Sequence, residues 1–154
     1  MNYIEYRNKR QEEYNKLPIY WAFSDEQFKR TCEENNFTED DLVQPSWLCG
    51  GFCRKSDVKM IADFFNQPDE LPDLMADHDF AVDAFYEEMC NHEYGINYQA
   101  DWDVCNCFLP NEPEYHEYYS YHEYLTAAGH PDWVPAYEEA LKKYRKAAEE
   151  NDWF

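Results

Sequence analysis

The chain has 154 residues, and its 33 acids against 13 basic residues give a formal net charge of −20. Such a charge repels nucleic acid and anionic membrane surfaces and favours basic partners or cations, which excludes a direct nucleic-acid or membrane binder. Apolar residues make up 44% and aromatics 19%, too much for a disordered chain and enough for one domain with a sizeable core.

No early apolar run resembles a signal peptide, and no segment approaches the ~20 apolar residues that span a bilayer. The expected location is the cytoplasm, with the six cysteines reduced. The charge is also polarised along the chain. Met60–Leu141 holds nineteen acids and no lysine or arginine, so nearly all of the net charge belongs to that stretch.

In chain order, residues 1–16 read as a helical extension with Tyr3, Tyr6, Arg10 and Tyr14 close to one face. Leu17–Phe23 reads as a buried strand that tolerates Pro18 at its start. Ser24 and Gln27 form a capping box opening a helix to about Asn35, with Phe28 and Cys32 on its inner side. Trp47–Arg54 reads as a hairpin around Gly50-Gly51, preferred over a phosphate loop because the P-loop spacing is missing. Ser56 caps a helix from Asp57 to about Asn66, with Val58, Ile61, Ala62 and Phe65 inward.

Pro72 suits the first turn of the next helix, expected from about Asp73 to Glu93 as the longest in the protein. Leu71, Met75, His78, Val82, Phe85, Met89 and His92 make its buried stripe, and Gly95 is its left-handed stop. Asn97–Leu109 alternates like a strand or bent hairpin, with Trp102, Val104 and Phe108 sharing a face. Residues 112–150 are expected to form a C-terminal helical pair, the first helix over Glu112–Ala128. The second is capped by Asp132, with Pro135 in its first turn and Trp133, Tyr137, Leu141, Tyr144 and Ala148 inward. Glu138–Lys142 and Glu139–Lys143 have the favourable i,i+4 orientation. The fold class is α+β: a single compact domain over 1–154, mostly helical with a small antiparallel sheet.

Ala22-Phe23-Ser24-Asp25-Glu26-Gln27-Phe28, then Gly50-Gly51-Phe52 with Lys55-Ser56-Asp57, then Asn91-His92-Glu93-Tyr94 occur in that order. This run, over roughly Ile19–Gly95, resembles an uncharacterised group of small acidic proteins carried by bacteriophages and mobile elements of gut bacteria. The resemblance implies a setting in which a phage or element protein acts on host machinery or defence. It implies no chemistry.

The leading site is the acidic helix. Asp73, Asp77, Asp79, Asp83, Glu87, Glu88 and Glu93 are spread over about 30 Å of helix at ~1.5 Å per residue. Their spacing approaches the ~3.4 Å per phosphate of one DNA strand. Rows such as Asp79–Asp83–Glu87 repel one another, a cost that a merely solvated face with interspersed lysines avoids. The alternative is simple solubility. Tyr115, Tyr118 and Tyr119 are candidate interface anchors, or else core residues, and could equally serve self-association.

A second candidate is zinc on Cys49, Cys53, Cys105 and Cys107. Cys49-x3-Cys53 fits the usual ligand spacing and Cys105-x-Cys107 is short for it; buried cysteines are also ordinary apolar residues. His78 is read as a satisfied core histidine. A hydrolase is the third option, although GxSxG, HExxH and Walker patterns are lacking. The expectation is therefore a non-enzymatic inhibitor with no cofactor, which binds the basic surface of a host nucleic-acid-binding or defence protein as a DNA mimic. The alternative is a solubilised structural domain, or one stabilised by zinc.

Overall fold

The computed structural model describes residues 1–153. Among them are eight α-helices and one two-stranded antiparallel sheet, the mostly helical α+β composition expected from the sequence. The chain forms two compact units: Arg10–Pro68, and Met1–Lys9 together with the chain from Asp69 onward. Helix α1 (Tyr3–Asn15) contributes its first two turns to the latter, where Tyr3 and Tyr6 are buried.

In the Arg10–Pro68 unit, Ser24 caps α2 (Asp25–Asn35) by accepting the Gln27 N–H at 3.1 Å. The Gln27 side chain reaches back one residue further than a capping box requires, to the Phe23 N–H at 2.8 Å. Leu17–Phe23 is not a strand. Only Tyr20 pairs, as an isolated bridge to Phe52, and Trp21 and Phe23 are exposed, because the sheet beside them is two residues deep.

That sheet joins β1 (Leu42–Val43) to β2 (Cys53–Arg54), so the hairpin is wider than the Gly50-Gly51 turn expected. Ser46–Leu48 forms a 3-10 turn inside its loop, and the left-handed positions are Cys49 and Gly50. Gly51 is small for a different reason. A Cβ there would meet Trp21, Ile19 and Leu48 at 3.0–3.1 Å. Helix α3 (Val58–Phe65) follows a 3-10 turn that includes Ser56, which therefore does not cap it. Ile61 is buried with Leu48 and Cys53, whereas Phe65 turns outward towards Tyr14 and Trp47.

In the other unit, the expected long helix is two. Helix α4 (Leu71–Leu74) stops, and Asp77 caps α5 (His78–Asn91) by accepting the Phe80 N–H at 2.9 Å. An aspartate competes for backbone donors in a helix interior and satisfies them at a cap, so Asp77 breaks the single helix that the apolar stripe recommended. Met75, Val82, Phe85 and Met89 are buried as expected. His78 is not; it is half exposed and lies 2.5 Å from Glu139. The left-handed residue after α5 is Glu93 rather than Gly95.

Asn97–Leu109 is helical, not extended: α6 spans Ala100–Asn106. Asn97 takes the Gln99 N–H ahead of it, Asp101 and Asp103 favour its first turn, and Ala100, Val104 and Phe108 bury at helical spacing. Residues 112–120 lack the expected helix, and Glu112 at their start has a positive φ of 22°. Helix α7 (Tyr121–Ala127) begins only at a Ser120–Glu123 capping box.

The longest helix is α8 (Val134–Glu150), entered through a 3-10 turn at Pro131–Trp133, with Trp133 and not Asp132 at its cap position. Its stripe of Trp133, Tyr137, Leu141 and Tyr144 is buried against α5, as read from the spacing. The i,i+4 pairs expected on it do not form. Glu138 accepts from the Tyr121 hydroxyl, Glu139 meets His78, and Lys143 lies over the Tyr86 ring.

Ser120→Ala is expected to remove a typical cap contribution of about 1 kcal/mol, read by thermal denaturation. The Ser120 hydroxyl and backbone N–H also hold the Glu123 carboxyl below its usual range. A depressed carboxylate stabilises the fold above its ordinary pKa and loses that contribution as pH falls through the lowered one. In the Ser120→Ala variant the Glu123 carboxyl should therefore titrate at higher pH, measured by NMR.

Candidate functional site

The seven carboxylates of the acidic run do not share one solvated face. Asp73, Asp79 and Glu93 are exposed. Asp77 is spent on the α5 cap, and Asp83 accepts the backbone N–H of Tyr3 at 2.9 Å, fixing the start of α1. Glu87 is half-buried, and burial, then the Asp83 charge, pushes its carboxyl up. Glu88 is only 6% exposed.

Carboxylate density on the surface shifts instead to the irregular segment after α6. Glu112, Glu114, Glu117, Tyr118 and Tyr119 are all exposed, Tyr118 by 83%. Tyr119 stacks on His116 with ring centroids 4.0 Å apart, and Tyr115 is half-buried edge-on to Trp102. Tyr119 and Tyr124 line two adjacent cavities of about 160 and 440 Å³; Tyr98, itself 87% exposed, and Glu117 line the smaller, Glu114 the larger. Of the sequence-derived candidates, this region unites Tyr115, Tyr118 and Tyr119, while Asp73 and Asp79 belong to the start of the acidic run.

Glu88 sits at the centre of a polar cluster. Its Oε1 accepts from the Tyr3 hydroxyl at 2.9 Å, from Arg7 Nη1 at 3.2 Å and from Asn91 Nδ2 at 3.2 Å. Its Oε2 lies 3.2 Å from Cys107 Sγ and 3.4 Å from His92 Nε2, and Sγ lies 3.5 Å from Nε2. Helical i,i+4 spacing puts Glu88 and His92 on one face of α5 and its cap, and Cys107 follows the end of α6. Asn97 Nδ2 donates both to the His92 carbonyl and to the Asp103 carboxylate, which ties the end of α5 to α6.

Although Cys107 as a residue is exposed, its thiol is pushed up to about 12 by loss of hydration, then by the Glu88 charge. Burial, then Glu88, likewise pushes up the Tyr3 hydroxyl. Of the four cysteines singled out for zinc, only Cys107 belongs to a grouping of three potential ligands among the described residues. Cys53 and Cys105 are buried, with thiols pushed up by burial first, and Cys49 is exposed. The Glu88-x3-His92 spacing was open to sequence reading; the arrival of Cys107 needed the α6 helix, which alternation concealed.

In the Arg10–Pro68 unit, a groove of about 580 Å³ is lined by Phe23, Asp25, Phe28, Val43, Gln44 and Phe52. It draws together two of the short runs that carry the resemblance described above. The profile of a family of unknown function, DUF7659, matches residues 2–106. The chain belongs to that family. The DUF7659 match takes in the groove, Glu88 and His92, and ends one residue before Cys107; the Glu112–Tyr119 segment lies beyond it. No curated protein and no solved structure matches the chain. No helix of the described residues is long and apolar enough to cross a membrane.

Proposed function

We propose that the chain is a non-enzymatic acidic binding protein that occupies a basic surface on a nucleic-acid-handling partner in the cytoplasm. The observation that carries this reading is where the charge resides. The unit formed by Met1–Lys9 and the chain from Asp69 onward holds twenty-two acids against six basic residues, and none of those six lies between Asp69 and Leu141. Exposed Glu112, Glu114 and Glu117 lead directly into exposed Tyr118 and Tyr119, so charge that steers a basic partner adjoins aromatic area that can anchor it.

Relative to the helix-wide phosphate mimic expected from sequence, the surface is shorter and less regular, since Asp77, Asp83 and Glu88 have internal partners. Resemblance to small acidic proteins of bacteriophages and mobile elements supports a host defence or nucleic-acid protein as the target, with inhibition as the outcome. Carboxylates that replace phosphates displace the same counterions, so duplex DNA should compete. The test is capture from bacterial lysate on the immobilised chain, with and without duplex. Recovery of a nucleic-acid-binding protein that duplex displaces supports the reading, and recovery indifferent to duplex contradicts it.

A further inference from the structure

We propose that Glu88, His92 and Cys107 form a binding site for one zinc ion. The three potential ligand atoms lie within 4.8 Å of one another, and their separations, 3.2, 3.4 and 3.5 Å, outline a nearly equilateral triangle. Zinc bonds of ~2.0–2.1 Å to nitrogen, ~2.0–2.2 Å to oxygen and ~2.3 Å to sulfur at tetrahedral angles put such ligands about 3.3–3.6 Å apart. The cluster thus needs almost no rearrangement to hold the ion.

Proton bookkeeping points the same way. Cys107 Sγ faces two acceptors, Glu88 Oε2 and the Asp103 carbonyl at 3.3 Å, with one S–H proton to share, and a ring nitrogen of His92 whose role follows its tautomer. A divalent cation at the centre satisfies the carboxylate, the imidazole and a thiolate together. It also reverses the local charge penalty on that thiolate. Outer partners are already in place: Tyr3, Arg7 and Asn91 all donate to Oε1 and leave Oε2 turned towards the other two ligands. A thiolate and an imidazole select a borderline-soft ion over magnesium or calcium. Three protein ligands leave a fourth position for water. The site is independent of the docking surface proposed above.

The experiment titrates zinc alone into the full chain, purified without chelators, against a chromophoric competitor. One zinc per chain is expected. Tyr3→Phe, which removes a positioning donor, should weaken binding by ~10–100-fold, the usual cost of losing an outer partner. Cys107→Ser and His92→Gln, each checked for retained helicity by circular dichroism, should lose more than that, whereas Cys49→Ser should match the wild type. Cobalt(II) in place of zinc should give a thiolate-to-metal charge-transfer band that Cys107→Ser abolishes. Failure of the folded wild type to bind zinc, or equal zinc affinity in the wild type and both ligand variants, overturns the proposal.

Discussion

Phe85→Ala is expected to destabilise the α5–α8 core by about 3–5 kcal/mol, the cost of a large cavity in a packed interior. Phe85 has no exposed surface, and its ring lies 5.0 Å from both Phe108 and Tyr137 and 6.4 Å from Trp133. One truncation therefore removes contacts to α8, to Phe108 just beyond α6, and to the turn that opens α8. Domains of this size are held by roughly 5–15 kcal/mol, so the variant should melt more than ~6 °C below the wild type. Phe23→Ala makes the same chemical change at a side chain that is 89% exposed and should stay within about 0.5 kcal/mol. Equal effects at the two positions would mean the core is not built around α5 and α8.

Glu88→Ala should be the most damaging change of a charged residue. It leaves the buried Tyr3 hydroxyl without its acceptor, at about 1–3 kcal/mol, and removes the partner of Arg7 as well. Glu88→Gln keeps an oxygen for Tyr3 and should cost less. Urea denaturation of Glu88→Ala, Tyr3→Phe and the double variant should reveal a coupling of about 0.5–3 kcal/mol, because each single change already breaks the shared hydrogen bond. Additive effects would mean that Tyr3 and Glu88 do not communicate. This prediction also separates roles within the acidic run, since Asp79→Asn at an exposed position should leave stability nearly unchanged.

Elements whose signals are local were legible in the sequence. The α8 stripe, the Ser24 cap and the helix carrying Tyr3 and Tyr6 follow from side-chain spacing and from one side chain meeting its own backbone. Elements whose signals conflicted were misread. Asp77 sits within an apolar period yet works as a cap, and the polar–apolar alternation around Trp102 and Val104 masked the helical row Ala100–Val104–Phe108. The segment from Glu112 to Ser120 is irregular despite residues that tolerate a helix. The cluster was half legible: Glu88 and His92 stand at helical spacing, but the Cys107 approach and the demand of Tyr3 on Glu88 join residues 15 and 85 positions apart. Such partnerships leave no trace in a linear pattern. The same reason turned Asp83 from a surface charge into an anchor for α1.

The central claim, that exposed carboxylates bind a basic partner, is tested most directly by affinity for the captured protein at ~50 and ~200 mM salt. The wild type would be measured beside a variant carrying Asp73→Asn, Asp79→Asn, Glu112→Gln, Glu114→Gln and Glu117→Gln. All five positions are exposed, so the variant should fold. The account expects wild-type affinity to fall steeply with salt, and the variant to bind on the order of 10-fold more weakly at low salt with a shallower salt dependence. Equal affinity for both proteins, unchanged between the two salt concentrations, would contradict it and move the interface to apolar surface.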